Sequence, residues 1–393
     1  MNHGQTVFAQ LIQHLSHDEF RRCVNRFHGN RGVRSFSCWD QFLAMAFAQL
    51  TFRESLRDLE DSLGALQPKL YHMGFHAAVK RSTLADANET RDWRIFAAFA
   101  HSLISIARPL YADAPLEIDF GADLEANLYA LDATVIDLCL ALFPWAQFRK
   151  AKAAVKLHTL LEVRTYIPAF IDITSGRVHD VKVMDLLVLD PGSYLVMDRG
   201  YIDFARLYHL DQCGVYFFIR AKENLAFRRR RSHPVLKATG VRSDQSIMLT
   251  GPKSSKLYPD HLRRIHYYSA EKDKRFHYLT NNFVLPALSV AAIYKHRWQI
   301  ELFFKLIKQN LRIKGFFGTS PNSVKTQIWI AIAVYVLIAI LKKRLGLEHS
   351  FSQILQILSL TLFEKVPILS LFQGDLVQLE ISTLDKQLML LKI

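Results

Sequence analysis

Apolar positions change their spacing along this chain, and each change marks a different kind of element. Early on, Phe42, Met45, Ala46 and Leu50, then Leu56, Leu59 and Leu63, recur at helical intervals. Residues 1–110 therefore read as helical, with Ser82 capping a helix that starts near Thr83 and Pro109 closing the region. Between helices lies RFHGNRGVRSFS, where Arg26, Arg31 and Arg34 surround two glycines. This loop offers either phosphate contacts or an ordinary solvated surface. Near residue 125 the pattern shortens. LYALDATVIDLCLAL is an apolar run rich in strand formers, and AVKLHTLLEVRTYIPAFIDITSGRVHD adds two more, with a Ser-Gly turn. VKVMDLLVL reads as a short helix and SYLVMDRGY as a buried strand. FARLYHLDQCG reads as a helix ended by Gly214, and VYFFIRAK as a further strand. Strands first, then strands alternating with helices, predict an α/β sheet with an antiparallel first half.

From about residue 287 helical spacing returns. ALSVAAIYKHRWQIELFFKLIKQNL has no Pro or Gly and predicts one helix of six or seven turns. TQIWIAIAVYVLIAIL (326–341) is uncharged over 16 residues. A membrane span needs about 20, so a buried core helix is expected. FSQILQILSLTLF then reads as an amphipathic helix.

Charge changes the picture. The 393 residues carry 50 Lys and Arg against 36 Asp and Glu, a net +14, yet half the chain is hydrophobic. That is a folded protein suited to a polyanion, with nucleic acid the natural partner. Residues 220–275 alone hold 15 basic and 5 acidic residues, among them Arg228, Arg229, Arg230 and Arg231, interleaved with Tyr267, Tyr268 and Phe276. This window predicts a β-rich insertion that carries most of the positive field. Other classes lack their signatures. Cys23, Cys38, Cys139 and Cys213 form no C-x-x-C pair. The start has no signal-peptide pattern. Phosphate-loop, dinucleotide, serine-hydrolase and zincin motifs are missing from the sequence.

Three carboxylates stand out. Asp132 interrupts the strand Tyr129–Val135, and Asp198 ends the strand Tyr194–Asp198. A carboxylate among buried strands costs several kcal/mol unless paired or metal-bound, and strand ends are where α/β sheets place ligands. Asp137 lies an odd number of residues from Asp132 and so faces the other way. Asp180 reads as a helix N-cap. On a helical wheel at about 100° per residue, Tyr294, Arg297, Trp298, Glu301, Lys305 and Lys308 share an arc of roughly 100°. An apolar stripe of Ile293, Ile300, Phe304, Ile307 and Leu311 runs beside it. Ordinary i,i+4 pairing of Arg297–Glu301 and Glu301–Lys305 is the plainer use of that arc.

Tyr294-x2-Arg297-x3-Glu301-x6-Lys308 resembles the Y-(2)-R-(3)-E-(6)-K signature of bacterial insertion-sequence transposases of family four, a DDE group. YALDAT, VMDRGY and KRSTLADANETR (80–91) resemble further segments of that family. The resemblance implies an RNase H-like mixed-sheet core with a β-rich insertion and helical N- and C-terminal regions. The implied division is a helical DNA-binding region (1–110), a first core part with Asp132 and Asp198 (111–220), and a basic insertion (221–286). A second core part with the Glu301 helix and the buried helix (287–345) and a helical C-terminal region (346–393) complete it. It also implies cut-and-paste transposition at terminal inverted repeats, by nicking, hairpin formation and strand transfer. Asp132, Asp198 and Glu301 would be the catalytic carboxylates and the ligands of two Mg²⁺ ions, with Mn²⁺ able to substitute. Arg297, Lys305 and Lys308 would hold phosphates, Tyr294 would donate to one, and Trp298 would stack an unstacked base. The partners implied are double-stranded DNA at repeat and target, and a second copy in a homodimer. No membrane is implied, and the setting is the bacterial cytoplasm at the nucleoid. An RNase H-like nuclease or resolvase, and an inactive DNA-binding repressor of transposition, are the alternatives carried forward.

Overall fold

A computed structural model describes residues 4–112, 127–150, 152–311 and 315–373. These group into two units, one from residues 1–111 with 305–393 and the other from residues 112–304. The first opens with α1 (Val7–Ile12), α2 (His17–Arg26), α3 (Cys38–Leu50) and α4 (Leu56–Ala65). Thr6, Ser16, Ser37 and Ser55 start them, each accepting from an amide of the first turn. Ser37 and Asp40 form a full capping box. The loop with Arg31 and Arg34 joins α2 to α3. Next come α5 (Gln67–Leu70), α6 (Arg81–Thr90) and α7 (Arg94–Leu110). Two expectations shift here. Ser82 does not cap α6, which begins one residue earlier, where the Arg81 amide donates to Glu60 Oε1 at 3.1 Å. Pro109 lies inside the last turn of α7 and the helix runs one residue past it.

The second unit is built on ten strands: β1 (Leu128–Leu138), β2 (Gln147–Arg149), β3 (Lys152–Glu162), β4 (Pro168–Ser175) and β5 (Tyr194–Met197), then β6 (Tyr216–Arg220) after helix α8 (Phe204–Gln212). They continue with β7 (Phe227–His233), β8 (Val241–Leu249), a short α9 (Ser254–Leu257), β9 (Leu262–Ser269) and β10 (Lys274–Thr280). The order is β2-β3-β1-β5-β6-β10-β9-β8-β7, with β4 also on β3. Pairs β1–β5 and β5–β6 are parallel and the rest antiparallel. The antiparallel start followed by parallel strands is the arrangement expected of an RNase H-like core. The basic window does not stand apart as a separate layer. Its strands extend the central sheet from β6 outward. Asp180 is not a helix N-cap either. It is the first residue of a 3₁₀ turn, Asp180–Leu186, whose cap is His179, and its carboxylate accepts from Lys156 Nζ at 2.9 Å.

One face of this sheet is apolar. Leu131, Leu160, Leu195, Met197, Phe217 and Ile219 pack there with Tyr201 and with Leu207 and Leu210 of α8. The alternate positions face the other way, where α10 (Ala287–Lys295) packs on β6 and β8; α11 (Trp298–Asn310) follows it. The expected single helix is thus two, and its break lies at His296–Arg297.

The chain closes with α12 (Pro321–Arg344) and α13 (Phe351–Thr361), started by Ser320 and Ser350. The α12 helix is long and apolar enough to cross a bilayer, but 94% of its apolar window is buried. It packs on α7, α3 and α6 as the core helix of the first unit.

Candidate active site

Asp132 and Asp198 are brought level by strand register. Leu131 pairs with Met197 across the parallel β1–β5 ladder, and each aspartate is the next residue. Because neighbours in a strand alternate faces, both carboxylates leave the apolar side and point toward α10 and α11. Asp137 is exposed and of opposite parity, as expected. The Asp198 carboxylate is oriented by its own turn: Oδ1 accepts from the Gly200 amide at 2.7 Å. A Cβ at residue 200 would lie 2.8 Å from that oxygen, so any larger residue there would displace the carboxylate. Burial raises the Asp132 pKa to about 6, and Asp198 and Glu301 push it the same way. The Ala133 amide and Arg297 oppose that rise.

Glu301 joins them through Arg297. Four amides, those of His296, Arg297, Gln299 and Ile300, bond three residues back and tighten the chain between α10 and α11. A 3₁₀ turn advances each residue further than an α-helix, so one straight wheel does not describe this stripe. The break lets Arg297 reach back to the sheet. Its Nη1 donates to Asp132 Oδ2 at 3.2 Å, and its Nη2 donates to Glu301 Oε1. Arg297 therefore holds two of the three carboxylates, where the sequence had assigned it to phosphate. Tyr294, expected to donate to a phosphate, lies near the end of α10. It is buried against Tyr278, ring centroids 4.9 Å apart, and burial pushes its pKa up to about 12. It supports Arg297 from behind. Trp298 begins α11 and is 47% exposed. Lys305 and Lys308 lie farther along α11 in the part grouped with the first unit, Lys305 exposed and Lys308 half-buried.

Two participants escaped the sequence reading. Tyr201, three residues past Asp198, has a buried hydroxyl with no hydrogen-bond partner. Burial, then the charges of Asp132, Asp180 and Asp198, drive its pKa far above the usual phenol range. Gln299 is buried and donates to the Tyr166 hydroxyl at 3.2 Å, tying the start of α11 to the β3–β4 connection. The D-R-G-Y spacing could have flagged Tyr201; nothing marked Gln299.

A groove of about 1440 Å³ runs from this cluster along the β9–β10 hairpin. Tyr294, Arg297 and Trp298 line its near end, and Arg220, Arg242, Arg275, Tyr267 and Phe276 line the rest. Eight of its lining residues are Lys or Arg and two are acidic, so its potential favours a polyanion. Arg228–Arg231 are not in it. They occupy β7, the edge strand, exposed and six strand spacings from β1, or roughly 29 Å at about 4.8 Å per strand.

The chain is similar to known families and proteins. Residues 124–337 match the family model described as "Transposase DDE domain", and residues 3–76 match "Domain of unknown function (DUF4372)". Over 261 residues, 65% of its length, the chain is 31% identical to a Sinorhizobium fredii protein named as transposase y4zB, 70% of which is covered. It is 30% identical over 230 residues, 57% of its length, to a Geobacillus stearothermophilus protein named as the transposase of insertion sequence element IS5377, 60% of which is covered. A Synechocystis protein named for insertion sequence element IS4SA is 25% identical over 269 residues, 66% of this chain and 71% of that protein. With a model matching more than half its length on the segment that carries Asp132, Asp198 and the Glu301 helix, the chain belongs to the DDE transposases.

Proposed function

We propose that this DDE transposase works by cut and paste: it binds the terminal inverted repeats of an insertion sequence, nicks them, passes through a hairpin and joins the freed ends to target DNA. The observation that carries the reading is the row of two level aspartates facing an arginine that holds the third carboxylate. DDE transposases generally use divalent metal ions. Among the described residues no three His, Cys, Asp or Glu side chains are gathered tightly enough to enclose one. The donor set nonetheless fits: all three groups offer hard oxygen ligands, and Asp198 and Glu301 both raise the Asp132 pKa, a repulsion that a cation would relieve. Asp132, Asp198 and Glu301 would hold two Mg²⁺, with Mn²⁺ able to substitute. When bound, such a pair supplies activation of the attacking oxygen and stabilisation of the leaving one.

The chain's own residues do the rest. Arg297 compensates Asp132 and Glu301 and is the group best placed to turn to the scissile phosphate. Tyr294, a neutral phenol, keeps the guanidinium oriented. Trp298 presents a face for an unstacked base at the mouth of the groove, and the groove's cations track the backbone leading from it. Lys305, Lys308, Arg228, Arg230 and Arg231 contact phosphates farther along the duplex. The enzyme acts as a homodimer in the cytoplasm, at the nucleoid, with the N-terminal helices reading the repeats.

The test is a stepwise assay on labelled repeat-end DNA. A nick, then a hairpin, then a resolved end, is the expected series. Nicks alone, never followed by hairpin or joining, would instead favour the nuclease reading; binding without any nick would favour the repressor.

A further inference from the structure

We infer that Arg263 and Asp244 form a positioning clamp for the catalytic helix, linking the basic strands to the carboxylate of Glu301. Both belong to the charged window of residues 220–275, yet Arg263 is only 6% exposed and Asp244 4%. Arg263 on β9 forks onto Asp244 of β8, Nε to Oδ1 at 2.9 Å and Nη2 to Oδ2 at 2.6 Å. Its remaining nitrogen, Nη1, donates to the Leu285 carbonyl at 2.6 Å and the Asn282 carbonyl at 3.2 Å. Those carbonyls belong to the irregular segment between β10 and α10. Asn282 Oδ1 tightens the same segment by accepting from the amides of Val284 and Leu285. Pro286 and α10 follow at once. One end of α10 is thus fixed by a buried fork. The other end delivers Arg297 and, through the 3₁₀ break, Glu301.

A lysine could hold Asp244 but could not also span both carbonyls, because only the planar guanidinium offers donors in a rigid fork. Strands β8 and β9 form one wall of the basic surface, so the clamp makes the place of α10 depend on their geometry. The proposal rests on the reading of Glu301 as a catalytic carboxylate. Arg263 acts through α10 and touches no reacting atom.

The experiment compares the full chain with Asp244→Leu/Arg263→Met, where both charges leave together so that neither is stranded, and with Arg263→Lys. Amide hydrogen exchange is followed in residues 287–297 and in 128–138. Affinity for a repeat-end duplex and single-turnover nicking at saturating DNA in Mg²⁺ are measured alongside. The double variant should exchange about tenfold faster in 287–297 and unchanged in 128–138. It should nick about tenfold or more slowly, with affinity within about twofold of the parent. Arg263→Lys should fall between, and it carries the same comparison should the double variant fail to fold. Unchanged exchange in 287–297, or faster exchange with an undiminished nicking rate, would overturn the clamp. Lost affinity with a full rate at saturation would also overturn it. If the parent chain itself never nicks, the reading of Glu301 fails, and the exchange arm still decides whether the fork holds α10.

Discussion

The four arginines at 228–231 are consecutive but do not act alike. Register pairs Arg229 with Ile247 and Arg231 with Ser246, so a bulge places Arg230 between them. Arg228 pairs with Met248, and Arg230 Nε lies 3.0 Å from Met248 Sδ. Arg228, Arg230 and Arg231 therefore share the Met248–Ser246 face, while Arg229 points to the face of the buried Ile247 and Leu249. Following the ladders inward, Ser246 pairs with Arg263, Arg263 with Thr280, and Thr280 with Phe218. Phe218 pairs with Val196 and Val196 with Ala130, two residues from Asp132. Three arginines thus stand on the catalytic side of the sheet and one on the other. Each phosphate contact contributes about 0.9 to the slope of log K against log salt. Replacing all three by alanine should flatten that slope by about 2.7. Between 50 and 200 mM salt, the parent should lose about 40-fold more affinity than the variant. Arg229→Ala should leave the slope nearly unchanged. Fluorescence anisotropy of a labelled repeat-end duplex across a KCl series measures both. An unaltered slope in the triple variant, or an equal effect of Arg229→Ala and Arg230→Ala, would refute the assignment of faces.

Three further outcomes are expected. Trp298→Ala removes a stacking surface worth about 1–3 kcal/mol; it should spare the first nick and impair hairpin formation in the stepwise assay. Burial holds the Tyr294 phenol protonated to about pH 12, so Tyr294→Phe should leave the alkaline limb of the pH–rate profile unchanged up to about pH 10, and a lost ionisation there would contradict its neutral role. Gly240 has a φ of +91°, and a Cβ there would sit 2.6 Å from the Tyr268 carbonyl; Gly240→Ala should cost more than about 1 kcal/mol in urea unfolding.

How far the sequence speaks differs from element to element. The strands carrying Asp132 and Asp198 were legible because short apolar runs rich in β-branched and aromatic residues, bounded by turn signals, read as buried strands, and a carboxylate inside one is conspicuous. The parity that excludes Asp137 follows from the same periodicity. The break between α10 and α11 was not legible. Tyr-Lys-His-Arg contains no Pro or Gly, and the kink coincides with the ion pair from Arg297 to Asp132, 165 residues away. Local preference was outvoted by a tertiary ion pair. The bulge in β7 was equally hidden, since four arginines in a row carry no alternation to betray a change of face. Arg263 and Asp244 looked like any other charges until the fold buried them together. The resemblance identified the Glu301 segment, but only the fold turns Arg297 toward carboxylates.

The central claim is that Asp132, Asp198 and Glu301 act together as the ligands of the ions that drive DNA cleavage. The most direct measurement replaces each in turn by cysteine and follows nicking of repeat-end DNA in Mg²⁺ and in Mn²⁺, with binding to the same DNA as control. A thiolate is a poor partner for Mg²⁺ and a better one for the softer ion. The account predicts that all three variants bind DNA, fail to nick in Mg²⁺, and recover part of their nicking in Mn²⁺. A variant at any of the three positions that nicked at the parent rate in Mg²⁺ would contradict it.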